Sequence, residues 1–96
     1  MNENEDLWVE KTDNGFLVGL KEDNQDTLGE VKYVDLPSVG QKLQKGDTAV
    51  EVEAQKAVIE LESPVDGEVI RINEALADEP QVVVNKDSSW MYEVRI

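Results

Sequence analysis

The stretch Val50-Glu51-Val52-Glu53-Ala54-Gln55-Lys56-Ala57-Val58-Ile59-Glu60-Leu61-Glu62 decides how this chain is read. Val50 and Val52 alternate with Glu51 and Glu53, and Ile59 and Leu61 alternate with Glu60 and Glu62. Successive side chains of a strand point to opposite faces, so alternation on both flanks predicts two half-buried strands joined as a β-hairpin. Lys56 then stands at the tip, at the point farthest from the core, with its ammonium carried into solvent on a four-carbon stem. A second enzyme can handle such an amine. An exposed turn lysine is by itself ordinary, and Glu51, Glu53, Glu60 and Glu62 are by themselves the wet face of two strands, so the flanking sequence must decide.

Outward from this hairpin the same logic continues. Toward the N-terminus, Leu7-Trp8-Val9 and Phe16-Leu17-Val18-Gly19-Leu20 flank Thr12-Asp13-Asn14-Gly15, where Asn-Gly predicts a tight turn and a second hairpin. Residues 1–6 are polar and expected to be loose, and residues 21–28 suit a loop or one helical turn. A weak repeat lays Gly29-Glu30-Val31-Lys32-Tyr33-Val34-Asp35 over Gly67-Glu68-Val69-Ile70-Arg71-Ile72-Asn73, 38 residues apart. Each copy opens on a glycine able to bend, runs as a strand and closes on an Asp or Asn that can bond its own backbone. Pro37-Ser38-Val39-Gly40, Lys45-Gly46-Asp47 and Ser63-Pro64-Val65-Asp66-Gly67 are turns. Asn73 can cap a short helix over Glu74-Ala75-Leu76-Ala77, stopped by Pro80, before a final strand from Trp90. The expected fold is all-β: a flattened sandwich or half-barrel of two small antiparallel sheets, with one or two short helices, as a single domain over 1–96. Trp8, Phe16, Tyr33 and Trp90 are expected to pack in the core or at its edges.

Composition removes whole classes of function. The 22 acidic residues against 9 basic ones give a net charge of −13, a field that disfavours nucleic acid and anionic membranes and favours partners with basic clefts. Cysteine and histidine are both absent. Disulfides, a thiolate nucleophile, a Ser-His pair and an ordinary zinc ligand set are therefore excluded. The chain is expected to be a non-enzyme without a metal, and any redox or acyl chemistry must ride on a covalently attached group. There is no apolar run of about 20 residues and no basic-then-apolar N-terminus, so the cytoplasm is the expected location.

Several short motifs occur together and in order: Leu7-Trp8, Thr27-Leu28-Gly29, Val34-Asp35-Leu36-Pro37-Ser38-Val39-Gly40, Glu53-x-x-Lys56-Ala57, Ser63-Pro64-Val65-x-Gly67, Asn73-Glu74-Ala75-Leu76 and Trp90. Over nearly the whole length the sequence resembles the H proteins of the glycine cleavage system, within the wider group of lipoyl and biotinyl carrier domains. The resemblance implies that Lys56 carries lipoic acid through an amide. Glu51, Glu53, Ala54, Gln55, Ala57 and Glu60 would be read by a lipoate ligase, by a lipoyl or octanoyl transferase, and by partner enzymes. The loaded arm would shuttle an aminomethyl group between glycine decarboxylase, an aminomethyltransferase and dihydrolipoyl dehydrogenase. A biotin carrier usually places Met on both sides of its lysine, which Gln55 and Ala57 do not match.

The sequence also departs from that family. Ala54-Gln55 stands where Ser-Val is usual, Asn24-Gln25 where Tyr-Ala is usual, and the sequence ends at Ile96 where members continue into a helix. These features resemble a shorter H-like group associated with a lipoate ligase, a macrodomain protein and a sirtuin-like ADP-ribosyltransferase. That alternative implies a lipoate relay or an oxidative-stress role, with Asp26, beside Glu22 and Asp23, as the ADP-ribose acceptor. A non-covalent interaction module indifferent to Lys56 is a further alternative.

Overall fold

The computed structural model describes residues 7–21, 28–84 and 89–96. Among the described residues there are eight strands: β1 Leu7–Lys11, β2 Gly15–Leu20, β3 Val31–Asp35, β4 Lys42–Leu43, β5 Thr48–Ala54, β6 Val58–Glu62, β7 Gly67–Ile72 and β8 Trp90–Arg95. One helical turn, α1 Ala75–Asp78, and a 3-10 helix, Pro80–Val84, lie between β7 and β8. The strands form an antiparallel five-stranded sheet in the order β1-β2-β8-β7-β4 and an antiparallel three-stranded sheet in the order β3-β5-β6. With extents of 34 × 31 × 20 Å the molecule is a slab, the flattened sandwich expected from the alternating pattern.

Both sheets contribute to one cluster of buried apolar side chains. Leu20, Val18, Val69, Met91, Tyr92 and Val94 come from the larger sheet and Val34, Val50 and Val52 from the smaller, joined by Leu28, Leu76 and Val83 from segments outside the strands. Where alternation breaks, the ladder is irregular. The β5–β6 register shifts between Thr48 and Val50, which lets the consecutive residues Ala49 and Val50 both turn inward.

The two copies of the repeat separate into different sheets. β3 is an edge strand of the three-stranded sheet, whereas β7 lies inside the five-stranded sheet between β8 and β4. Their irregularities coincide: the register shifts between Val31 and Tyr33 in one copy and between Val69 and Arg71 in the other. The open edge of β3 is managed by the 3-10 helix, from which Gln81 Oε1 accepts the Val31 N–H at 2.8 Å.

Some local expectations need revising. Tight two-residue turns favour Asn-Gly because both central residues take positive φ. No described non-glycine residue has positive φ here, and Gly15 is not among the positive-φ glycines. Instead the Thr12 N–H donates to Gly15 O at 2.9 Å, and Thr12 Oγ1 accepts the Gly15 N–H at 3.0 Å. Gly15 is small because a Cβ there would run into the Val94 carbonyl. Tyr33 is not core: it is 51% exposed on the outer face of the three-stranded sheet. Trp8, by contrast, lies across Gly19 and donates from Nε1 to Ser89 Oγ at 2.8 Å. The short helix starts one residue later than expected, with Glu74 at its N-cap, and Asn73 Oδ1 just before it accepts the Ala75 N–H at 3.2 Å.

Candidate functional site

The β5–β6 hairpin forms as its alternation requires. Val52 pairs with Ile59 on the inner face, while Glu51 lies opposite Glu60 and Glu53 opposite Val58 on the outer face. The loop is closed by the Ala54 N–H donating to Ala57 O at 2.9 Å. Gln55 and Lys56 are exposed at its apex, and Ala54 and Ala57 are partly buried beneath them.

The tip is not the remote projection suggested by the hairpin pattern. The segment leading into β3 passes beneath it and holds it at two points: the Gln55 N–H donates to Glu30 O at 2.7 Å, and the Lys56 N–H to Leu28 O at 3.0 Å. Leu28 itself is fully buried, so the clamp is anchored in the core. A turn otherwise free to fray is thereby fixed by bonds from a segment more than 20 residues away in sequence. Between the two accepting carbonyls lies Gly29, with φ +69°, and the Lys56 stem runs alongside it. Leu28-Gly29 was visible as a motif, but no local pattern announces which turn it will touch.

Electrostatics divide the two outer faces. Across the three-stranded sheet, Asp35 pairs with Glu51 and Glu51 with Glu60, giving a transverse row of three carboxylates. The neighbouring row, nearer Lys56, is Tyr33, Glu53 and Val58, with Val58 61% exposed. Glu53 and Glu60 are exposed and Glu51 partly buried. On the five-stranded sheet Glu93 and Glu68 each meet an arginine. Glu93, 4% exposed, accepts from Thr12 Oγ1 at 2.7 Å and from Arg71 Nε at 2.9 Å. The Thr12 hydroxyl, and with it the Arg71 guanidinium, holds the Glu93 carboxyl below its ordinary value against the opposing effect of burial. Arg71 also stacks over Trp90, 4.7 Å from the ring centroid. Burial pushes the Tyr92 hydroxyl up.

Among the described residues no group of three or more carboxylates is arranged to hold a metal ion, and no helix is long and apolar enough to cross a membrane. Lys56, Glu51, Glu53, Ala54, Gln55, Ala57 and Glu60 thus share one hairpin. Asp26, Glu22 and Asp23, and with them Asn24-Gln25 and residues 1–6, lie outside the described residues.

The comparisons with known proteins agree with this architecture. Over 91 residues the chain is 41% identical to the glycine cleavage system H protein of Alcanivorax borkumensis, covering 93% of this chain and 71% of that protein. It is 43% identical to a probable glycine cleavage system H protein of Thermococcus kodakarensis, covering 92% and 67%. The crystal structure of a glycine cleavage system H protein from Mycobacterium marinum superposes with a TM-score of 0.83 at 28% identity, over 93% of this chain and 76% of that one. These relatives favour the glycine cleavage reading over the stress-linked or lipoate-relay alternative. The model of the glycine cleavage H-protein family matches residues 1–96 from end to end, and the chain belongs to that family.

Proposed function

We propose that this protein is the lipoyl carrier of a glycine cleavage system and that Lys56 is the residue that bears the lipoyl group. The observation carrying the assignment to Lys56 is the clamped apex: an exposed lysine on a turn whose backbone is fixed by Leu28 and Glu30. A swinging arm needs an anchor that is accessible and stiff, since positional uncertainty at the base is multiplied along the arm. The bare backbone at Gly29, against which the Gln55 and Lys56 side chains already lie, leaves the stem a path that a side chain at this position would narrow. Lipoate bound there supplies a dithiolane able to take up and release a one-carbon amine unit and two electrons.

The chain's own residues then present and tether. Glycine decarboxylase, aminomethyltransferase and dihydrolipoyl dehydrogenase are the proposed partners, served in turn because tethering replaces free diffusion by a high local concentration. A lipoate ligase or a lipoyl or octanoyl transferase is the proposed loading enzyme. Glu51, Glu53 and Glu60 are proposed to meet basic residues of these partners, with Tyr33 and Val58 as apolar contacts beside the arm. Like charges directly opposite across strands oppose folding, and a basic cleft relieves that repulsion on docking. The protein supplies no catalytic group of its own to these steps.

Intact mass after incubation with lipoate, ATP and a lipoate ligase tests the site: the wild type gains one lipoyl group and Lys56→Ala none. Equal gain by Lys56→Ala would move the attachment elsewhere. Supplying the lipoylated protein and labelled glycine to glycine decarboxylase tests the pathway, and failure to acquire label would exclude the shuttle role.

A further inference from the structure

Four described glycines have positive φ, and what surrounds them differs. Gly40 at φ +95° and Gly46 at φ +98° stand in open turns where an added Cβ would meet nothing within 4 Å. They are glycines for the sake of the backbone alone. Gly29, at φ +69°, has in addition a tightly occupied space: its Cβ would lie 3.1 Å from Gln55 Oε1, 3.3 Å from Lys56 Cγ and 3.4 Å from Lys56 Cδ. Every one of those neighbours is a side-chain atom of the hairpin tip, and no backbone atom is among them.

We propose that Gly29 is a positioning residue for the Lys56 arm, its bare backbone forming the floor on which the lysine stem lies and so setting the direction in which the amine is offered for acylation. This rests on Lys56 being the acylated residue. The carbonyls on either side of Gly29 hold the Gln55 and Lys56 amides at 2.7 and 3.0 Å, so the tip backbone is pinned to the floor itself. A methyl group inserted at Gly29 asks its neighbours to give by a few tenths of an ångström, and lifting the whole turn to do so would stretch both hydrogen bonds. The displacement falls instead on the two flexible side chains, the Gln55 amide and the Lys56 stem. Acyl transfer needs the amine within near-attack distance of the activated carbonyl, and a misplacement of about 1 Å costs on the order of a hundredfold. The carboxylates proposed to meet the ligase lie on the sheet's outer face and do not move. The effect thus falls on kcat rather than on KM.

Four proteins test this: wild type, Gly29→Ala, Gly29→Asn and Gly40→Ala, each assayed for lipoylation kinetics by intact mass. Asn tolerates left-handed backbone better than Ala while still presenting a Cβ, so it carries the test if Gly29→Ala does not fold. Gly40→Ala imposes similar backbone strain with no neighbour to displace. The expected result is a fall in kcat of about tenfold or more for both Gly29 variants, with KM within about threefold of wild type and Gly40→Ala unchanged. In the unmodified wild type, NOE cross-peaks between Gly29 Hα and the Lys56 Hγ and Hδ protons are expected. Wild-type kcat in a folded Gly29 variant, an effect confined to KM, an equal loss in Gly40→Ala, or absence of those cross-peaks would overturn the proposal. A wild type that gains lipoate at another residue, or not at all, would overturn the assignment of Lys56 and this inference with it.

Discussion

The two copies of the internal repeat, Gly29–Asp35 and Gly67–Asn73, begin from the same local pattern and end in different physical situations. Both place a glycine at or just before the start of a strand, and both carry a register irregularity at the equivalent position. The second copy is flanked on both sides by strands, and its charges find partners: Arg71 reaches Glu93, and Glu68 lies 3.7 Å from Arg95. The first copy is an edge strand, and its Asp35 faces Glu51, which faces Glu60. The glycines diverge in the same way. A Cβ at Gly67 would lie 2.7 Å from the Arg95 carbonyl, a rigid backbone atom, whereas one at Gly29 would press on the side chains of Gln55 and Lys56. One copy has been used to close the larger sheet and the other to hold and frame the hairpin tip. Sequence similarity between repeats therefore predicts shared geometry, not shared duty.

The strongest way to break that contrast is to put the same methyl group on both glycines. Gly67→Ala must displace the end of β8, and overpacking against backbone is expected to cost about 2–3 kcal/mol. For a chain of this size that corresponds to a fall in Tm of roughly 10 °C or more, measured by thermal denaturation. Gly29→Ala is expected to lose only about 1 kcal/mol, the penalty of left-handed backbone for a residue with a Cβ. Equal losses would mean that the two positions are structurally equivalent after all.

The charge networks give the next largest effect. Glu93 has its folded-state pKa lowered from 4.5, chiefly by the Thr12 hydroxyl. A depressed carboxyl contributes stability that is fully present above its unfolded value and disappears as pH falls through the folded value. Tm is therefore expected to fall below about pH 4.5, the unfolded value, and Glu93→Gln to lose about 1–2 kcal/mol at neutral pH while flattening the acid limb. Tyr92 works in the opposite sense: its raised pKa gives stability that is complete below pH 10.0 and is lost as pH rises through the folded value. An acid limb unchanged in Glu93→Gln would show that the network on the five-stranded sheet does not bias folding.

The smallest effect is expected on the acidic sheet, with the opposite sign. Removing like charges that face one another across strands in Glu51→Gln/Glu60→Gln is expected to stabilise the fold by about 0.5 kcal/mol. The same double variant is expected to slow association with the loading enzyme and to flatten its dependence on salt, because steering by exposed charge is screened. Unchanged association rates at low salt would separate this face from docking.

Much of this molecule was legible before any coordinates. Alternation around Lys56 and around Asn14-Gly15 located both hairpins, and the absence of cysteine and histidine directed attention to an attached group. Other features were not legible. The two-residue strand β4 is too short to produce a periodic signal, and it exists because Lys42 and Leu43 pair with Glu68 and Gly67. Tyr33 reads as core from its type, yet the irregularity at Lys32 lets Val31 and Val34 take the inner face and turns Tyr33 outward. The burial of Glu93 was hidden because Thr12 and Arg71 lie 81 and 22 residues from it.

By itself the sequence determined the longer strands, the apex position of Lys56 and the carboxylates around it, because period-two alternation is a local property of the pleated chain. Tertiary structure alone decided which sheet each repeat joined, which glycine bears on the lysine and which charges are compensated. Those outcomes depend on which carbonyls, strand edges and apolar faces remain unmatched once distant segments collapse together, and no window of neighbouring residues contains that information.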